Sequence, residues 1–89
     1  MGNDLGPIGS ILHAKLQAAL APHALQVIDE SNQHIGHVGA HPSGESHFRV
    51  RISSQAFAGK SLLQKHRMVN DAVSDELKTR VHALAIEVL

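Results

Sequence analysis

HFRVRI, residues 47–52, is the segment from which the fold of this chain is most directly predicted. Its apolar residues, Phe48, Val50 and Ile52, alternate with one histidine and two arginines. Successive side chains of a strand point to opposite faces, so this alternation predicts a strand with one buried face and one solvated face. We therefore expect the strand to belong to a sheet that is covered on one side only.

The residues that precede this strand predict a helix and a second strand. Apolar residues at helical spacing indicate a first helix that Ser10 caps and Pro22 stops. A short strand is expected over residues 25–28, where three of the four side chains are apolar. A polar segment with three glycines and one proline, residues 32–45, then connects the two strands. Loops of this length in a compact domain are usually functional or disordered.

The second half of the chain predicts a helix and a third strand. Residues 53–59 are expected to form a turn with one helical turn at 55–57. A capping box, SLLQ at residues 61–64, then predicts the start of one long helix that ends near residues 78–80. Residues 81–89 alternate between apolar and smaller or polar side chains, and they predict a last strand.

The length of 89 residues is that of one small domain. We expect residues 1–7 to form a flexible N-terminus and residues 8–89 to form a single domain. The predicted fold class is α/β (α+β), with a three-stranded sheet covered by helices on one face.

Composition restricts the possible functions. Eight basic and eight acidic residues balance, which argues against nucleic-acid binding through overall charge. Lys15 is the only Lys or Arg before residue 49, so a basic face is confined to the second half of the chain. No cysteine, signal peptide or apolar run of about 20 residues is present in the sequence. We therefore expect a cytoplasmic protein with no membrane association.

Eight histidines in a chain without cysteine are the most distinctive chemical feature. His34, His37 and His41 fall in the polar loop, His47 opens the central strand, and His82 stands near the C-terminus. Without thiols, a borderline metal can be held only by imidazole and carboxylate groups. The pattern predicts that loop histidines and His82 meet around a metal or cluster. A loop that captures zinc through its own three histidines is the alternative.

Other short motifs give no support for catalysis. GHVG, residues 36–39, has the letters of a nucleic-acid-binding GxxG loop, but it lies between two strands instead of two helices. GKS, residues 59–61, resembles the end of a phosphate-binding loop, yet Ser54 stands where that motif requires glycine. No nucleophile and base are placed to act together, so we expect a protein that is not an enzyme.

Several segments, taken in order, resemble the BolA family over about residues 8–88. These segments are DES at 29–31 followed by His34, ESHFRV at 45–50, FAGKS at 57–61, HRMV at 66–69 and VHALAI at 81–86. Each segment is weak by itself, and the ordered combination is specific.

This resemblance implies a class II KH-like fold with the order α-β-β-α-α-β. It also implies a monothiol glutaredoxin as partner, with a 2Fe-2S cluster bridged between the two proteins. A glutaredoxin cysteine and a glutathione thiol would bind one iron. The BolA-like chain would bind the other through His82 and a loop residue, which at the matching position is His34. His37, His41 and His47 are the alternatives for that second ligand.

Two roles follow from the resemblance as expectations. The first is an adaptor in iron–sulfur cluster trafficking or in iron, redox or stress regulation, monomeric when alone and without a tightly bound cofactor. The second is a DNA-binding transcriptional regulator that uses a basic face. The residues of that basic face are Arg49, Arg51, Lys60, Lys65 and Arg67.

Overall fold

The structure is a computed structural model that describes residues 6–30 and 47–89. In those ranges the helices and strands follow the predicted order α-β-β-α-α-β, which confirms the expected fold class. The elements are α1 (Pro7–Leu20), β1 (Ala24–Asp29), β2 (His47–Ser53), a 3₁₀ turn (Gln55–Phe57), α2 (Leu62–Ala72), α3 (Ser74–Thr79) and β3 (Ala83–Val88).

The sheet has the strand order β1-β2-β3, so β2 is central. β1 runs antiparallel to β2, whereas β2 and β3 are parallel, with His47 opposite Ala83. A parallel pair needs a crossover connection, and α2 and α3 provide it. The amino ends of β2 and β3 therefore lie at the same edge of the sheet.

The core lies between the helices and one face of this sheet. The alternation predicted for β2 is confirmed, since Phe48, Val50 and Ile52 are at most 2% exposed. Burial of apolar side chains of this size contributes about 1.5–3 kcal/mol each. The other buried apolar residues of the core are Leu12, Leu16, Leu20, Val27, Phe57, Val69, Val73 and Val81.

The first helix begins earlier than the sequence predicted. Ser10 was the expected cap, but α1 starts at Pro7 with Gly6 as its N-cap. The backbone N–H of Ser10 donates to the Gly6 carbonyl at 3.0 Å, which places Ser10 inside the first turn. Proline suits the first helical position because it has no N–H to satisfy and its φ is preset. At the other end, α1 stops before Pro22, as predicted.

The prediction of one long helix after Ser61 is wrong. The capping box at Ser61 is present, but the helix breaks at Val73, where φ is −119° and ψ is 27°. The Val73 N–H turns to the Asn70 carbonyl at 3.3 Å, and α3 starts at the next residue. Apolar periodicity could not reveal this break, because Val69, Val73 and Leu77 keep helical spacing across it.

The last strand is shorter than predicted. The N–H groups of Arg80 and Val81 both donate to the Glu76 carbonyl at 2.8 Å, so these residues close the end of α3. β3 begins only at Ala83 and leaves His82 directly before it.

One ion pair, not predicted from the sequence, joins α1 to α3. The Nζ of Lys15 lies 3.0 and 2.8 Å from the two carboxylate oxygens of Glu76, a residue only 8% exposed. Burial by itself raises the pKa of Glu76. Two effects together outweigh burial and lower this pKa: hydrogen bonds from Lys15 and the backbone, and the positive charges of Lys15 and Arg80. The pKa of Glu76 therefore lies below its ordinary value of 4.5. The hydrogen bond to Glu76 in turn raises the pKa of Lys15.

We expect Glu76→Gln to lower the free energy of unfolding at neutral pH by roughly 1–2 kcal/mol, since it removes charge-assisted hydrogen bonds from a buried position. The folded-state pKa is depressed, so the stabilisation is complete above the unfolded pKa and is lost as pH falls through the folded pKa. Thermal unfolding at neutral and acidic pH checks this. The difference in Tm between wild type and variant should shrink on acidification.

The matched control is Asp75→Asn. The Asp75 carboxylate lies 3.8 Å from the same Nζ, but its side chain is 82% exposed, so its loss should change Tm little. A Glu76→Gln deficit that stays constant or grows in acid would contradict the assignment.

Candidate metal centre

His47 and His82 lie side by side at the edge of the sheet where β2 and β3 begin. Their ring centroids are 5.2 Å apart and their planes are inclined by 49°. His47 is the first residue of β2, and His82 directly precedes β3, whose first residue pairs with His47. The parallel register therefore brings together two histidines that are 35 positions apart in sequence (82 − 47).

The two rings are accessible and carry the donors of a metal site. His82 is exposed and His47 is half-buried. The inclination of the planes shows that the rings are not stacked face to face. Neutral imidazole is a ligand for zinc, copper, nickel and iron. Two adjacent imidazoles are also the protein ligands of the histidine-ligated iron in a Rieske-type mixed-ligand cluster.

The predicted loop ligands His34, His37 and His41 lie outside the described residues, so their part in a site stays a prediction. The loop that carries them starts and ends at this edge, since the Glu30 N–H donates to the His47 carbonyl at 2.8 Å. Within residues 6–30 and 47–89, no group of three or more His, Cys, Asp or Glu side chains could hold a metal. Among those residues, the pair alone is therefore short of the three or more ligands of such a group.

The sequence predicts that His82 meets a loop histidine, with His47 as an alternative. The structure brings His82 together with His47. Nothing in local periodicity could show this, because the contact depends on which residues of two distant strands face each other. The alternation of β2 did place His47 on the solvated face, and that was the available signal.

Arg49 lies on the same face of the sheet as His47 and links β3 to Glu30, the residue that follows β1. Its Nε lies 2.7 Å from Glu30 Oε2 on one side, and its Nη1 lies 2.7 Å from Glu87 Oε2 on the other. The hydrogen bond to Glu30, then that to Glu87, raises the pKa of Arg49 against the smaller effect of burial. Arg49 therefore fixes the end of β1, from which the histidine loop departs, relative to β3.

The residues predicted to contact nucleic acid divide into two groups. Arg49 and Arg51 are both engaged by carboxylates, with Arg51 Nε 3.2 Å from Glu87 Oε1. Lys60 and Arg67 are exposed and Lys65 is half-buried. In the described part of the chain, none of these three takes part in an ion pair within 4.0 Å.

The other described histidines lie away from the pair. His23 sits at the opposite edge of the sheet, where its Nε2 lies 2.9 Å from Ser53 Oγ. His66 is half-buried on α2. In the two described ranges, no helix has the length and apolar character needed to cross a membrane.

Comparison with known proteins identifies relatives over almost the whole chain. The family model described as BolA-like protein matches residues 16–89. SufE-like protein 1 of Arabidopsis thaliana, named as chloroplastic/mitochondrial, is 46% identical over 86 residues, which is 92% of this chain and 23% of that protein. BolA-like protein 1 of Mus musculus is 47% identical over 83 residues, 92% of this chain and 57% of the mouse protein. The chain therefore spans only part of these relatives.

Solved structures show the same fold. The BolA domain of SufE1 from Arabidopsis thaliana superposes with a TM-score of 0.83 at 46% identity, covering 94% of this chain and 92% of that domain. The solution structure of BolA1 from Mus musculus gives a TM-score of 0.76 at 43% identity, covering 98% of this chain and 68% of the mouse chain.

We expect Arg49→Met to loosen the base of the histidine loop, because it removes the charged link between Glu30 and Glu87. The backbone N–H of Glu30, which donates to His47, should then exchange with solvent several-fold faster than in wild type. Amide hydrogen exchange measured by NMR checks this. Arg51→Met is the control, since Arg51 contacts Glu87 and Gln26 but not Glu30. Equal exchange of the Glu30 amide in both variants would contradict the role of Arg49.

Proposed function

This chain belongs to the BolA-like protein family, and on that basis we propose that it is a non-enzymatic adaptor that pairs with a monothiol glutaredoxin and shares a 2Fe-2S cluster with it. The observation that carries the proposal is the pair of imidazoles at 5.2 Å on an open edge of the sheet. A site with two nitrogen ligands and open positions suits a metal group that a second protein completes.

The ligands on this chain are His82 and one further histidine. His34 is the residue that the family resemblance indicates, and His37, His41 and His47 are the alternatives. The partner side would supply a glutaredoxin cysteine and a glutathione thiol. When bound, the cluster supplies one-electron chemistry, and imidazole in place of thiolate on one iron raises its potential. The amino ends of β2 and β3 hold the His47 and His82 rings side by side, and Arg49 links Glu30 to Glu87 on the same face of the sheet.

This arrangement favours cluster trafficking or iron and redox regulation over a permanent electron carrier. In the proposed cycle the chain is monomeric and without a tightly bound cofactor until the partner arrives. The sequence predicts a cytoplasmic location, while the Arabidopsis relative is named as chloroplastic/mitochondrial.

Mixing the chain with a monothiol glutaredoxin, iron, sulfide and glutathione should give a heterodimer with the visible absorption and circular dichroism of a 2Fe-2S cluster. We expect His82→Ala to abolish or strongly change these spectra, because one iron loses an imidazole ligand. His23→Ala is the control, since His23 lies at the opposite edge of the sheet. An unchanged spectrum for His82→Ala would show that this residue is not a ligand, and absence of any complex with wild type would refute the proposed function.

DNA binding is the second candidate function, and the cations without ion pairs near the start of α2 favour it. If Lys60, Lys65 and Arg67 contact phosphates, the logarithm of the association constant should fall with the logarithm of salt concentration with a slope of about −2.7. Fluorescence anisotropy with a duplex oligonucleotide measures this slope. Charge reversal by Lys65→Glu with Arg67→Glu should abolish the binding. Binding without salt dependence, or intact after charge reversal, would exclude this function.

A further inference from the structure

We propose that the outer edge of β3 is a docking surface, which pairs with an extended segment of a partner protein that carries alternating apolar residues and one acidic residue. The sheet order β1-β2-β3 places β3 at an edge of the sheet in the described part of the chain. An edge strand presents a row of backbone N–H and C=O groups, and an extended peptide can bind to that row as a further strand.

The pairing of β3 with β2 shows which backbone groups of β3 face outward. The N–H of Leu89 donates to the Ile52 carbonyl at 2.8 Å, so Leu89 faces β2. Alternate residues of a strand bond to the same side, so Leu84, Ile86 and Val88 direct their N–H and C=O groups away from β2. Within the described ranges, no strand lies beyond β3 to bond to these groups.

The apolar side chains of β3 are covered less completely than those of the central strand. The three core residues of β2 are at most 2% exposed. Leu84, Ile86 and Val88 pack against the same core but are only half-buried. An added strand would place its side chains beside these three and extend their burial. This favours a partner segment with apolar residues at alternate positions.

The sequence of β3 lacks the features that usually protect an edge strand. Residues 81–89 contain no proline, lysine or arginine. The one acidic side chain there, Glu87, is held on the open face of the sheet, 2.7 Å from Arg49 Nη1 and 3.2 Å from Arg51 Nε. The other edge strand, β1, follows Pro22 and ends at Asp29. The edge of β3 is therefore the more open of the two to pairing.

A cavity of about 290 Å³ at the carboxyl end of β3 indicates the charge of the partner segment. Val88 and Leu89 line it together with Phe57 and Lys65. Among the described residues, its lining includes Lys65 and His23 but no acidic residue. Lys65 takes part in no ion pair within 4.0 Å in the described part of the chain. The cavity therefore favours an acidic side chain of the partner segment.

The position of the cavity also sets the direction of the segment. Antiparallel pairing is somewhat more stable per residue than parallel pairing, and it puts the amino end of the segment at the carboxyl end of β3. The acidic residue is therefore expected at the amino end. Because β3 begins at Ala83, directly after His82, the carboxyl end of the segment would lie beside the histidine pair. The edge would then position a partner that supplies ligands to that pair, a consequence that rests on the proposed function.

The test uses the full chain and a synthetic peptide in which one amino-terminal glutamate precedes alternating valine and threonine residues, with both ends blocked. NMR should show the amides of Leu84, Ile86 and Val88 shifting and becoming protected from solvent exchange as peptide is added. Concentrations up to about 1 mM detect dissociation constants in the millimolar range. Leu25 and Val27, whose amides face outward from β1, are the internal control and should not change.

Two matched peptides separate backbone pairing from charge. Proline in place of the central valine removes a backbone donor directed at β3, and it should weaken binding about tenfold or more. Lysine in place of the glutamate should weaken binding about threefold or more, because it places a like charge beside Lys65. The variant Lys65→Gln should reduce this difference between the glutamate and lysine peptides.

Protection confined to the edge of β3, lost with the proline peptide and sensitive to the charge at Lys65, supports the proposal. The proposal is overturned if the peptide causes no shifts, if β1 responds equally, or if the proline or lysine peptide binds as well. Protection of the same amides that rises with the concentration of the chain alone would assign the edge to a second copy and would also overturn it. No metal or glutaredoxin is present, so failure of this edge is distinguishable from failure of cluster sharing.

Discussion

The parallel pairing of β2 with β3 is the constraint on which the functional interpretation depends. Its register sets His47 opposite Ala83. His82, which precedes Ala83, therefore lies beside His47. A shift of one residue would move every side chain of β3 to the other face of the sheet. The apolar side of the strands fixes the register, because Phe48, Val50 and Ile52 must all remain buried against the helices. The position of the histidine pair is therefore a consequence of core packing.

Ion pairs add to the apolar core in fixing the positions of the helices and strands. The contact between Lys15 and Glu76 joins α1 to α3 across 61 positions of sequence. It therefore positions α3, the helix that precedes His82. Arg49 lies on β2, two residues after His47. It connects Glu30, which follows β1, with Glu87 on β3. The Lys15–Glu76 ion pair thus lies on the helix before His82. The Arg49–Glu30 ion pair lies at the last described residue before the histidine loop.

The parts of the fold that depend on local sequence could be predicted. Alternation in residues 47–52 predicted β2, the SLLQ segment predicted the capping box at Ser61, and the order of the elements followed from them. Prediction failed where position depends on distant contacts. The apolar residues keep helical spacing across the break at Val73, so the sequence pattern does not reveal that the helix ends there. The ion pairs of Arg49 and the contact of His47 with His82 require a register that no single strand encodes. Arg49 and Arg51, which were predicted to form a basic face together with Lys60, Lys65 and Arg67, form ion pairs with Glu30 and Glu87 in the folded chain.

The central claim is that the imidazoles of residues 47 and 82 converge in the free protein before any metal or partner is present. Nuclear Overhauser spectroscopy on the metal-free chain tests it most directly, by observing magnetisation transfer between the ring protons of the two residues. The account predicts a clear cross-peak between the rings, with further peaks from each to the amino-terminal residues of β2 and β3. Ring protons of residue 82 that show contacts elsewhere, and none to residue 47, would contradict it.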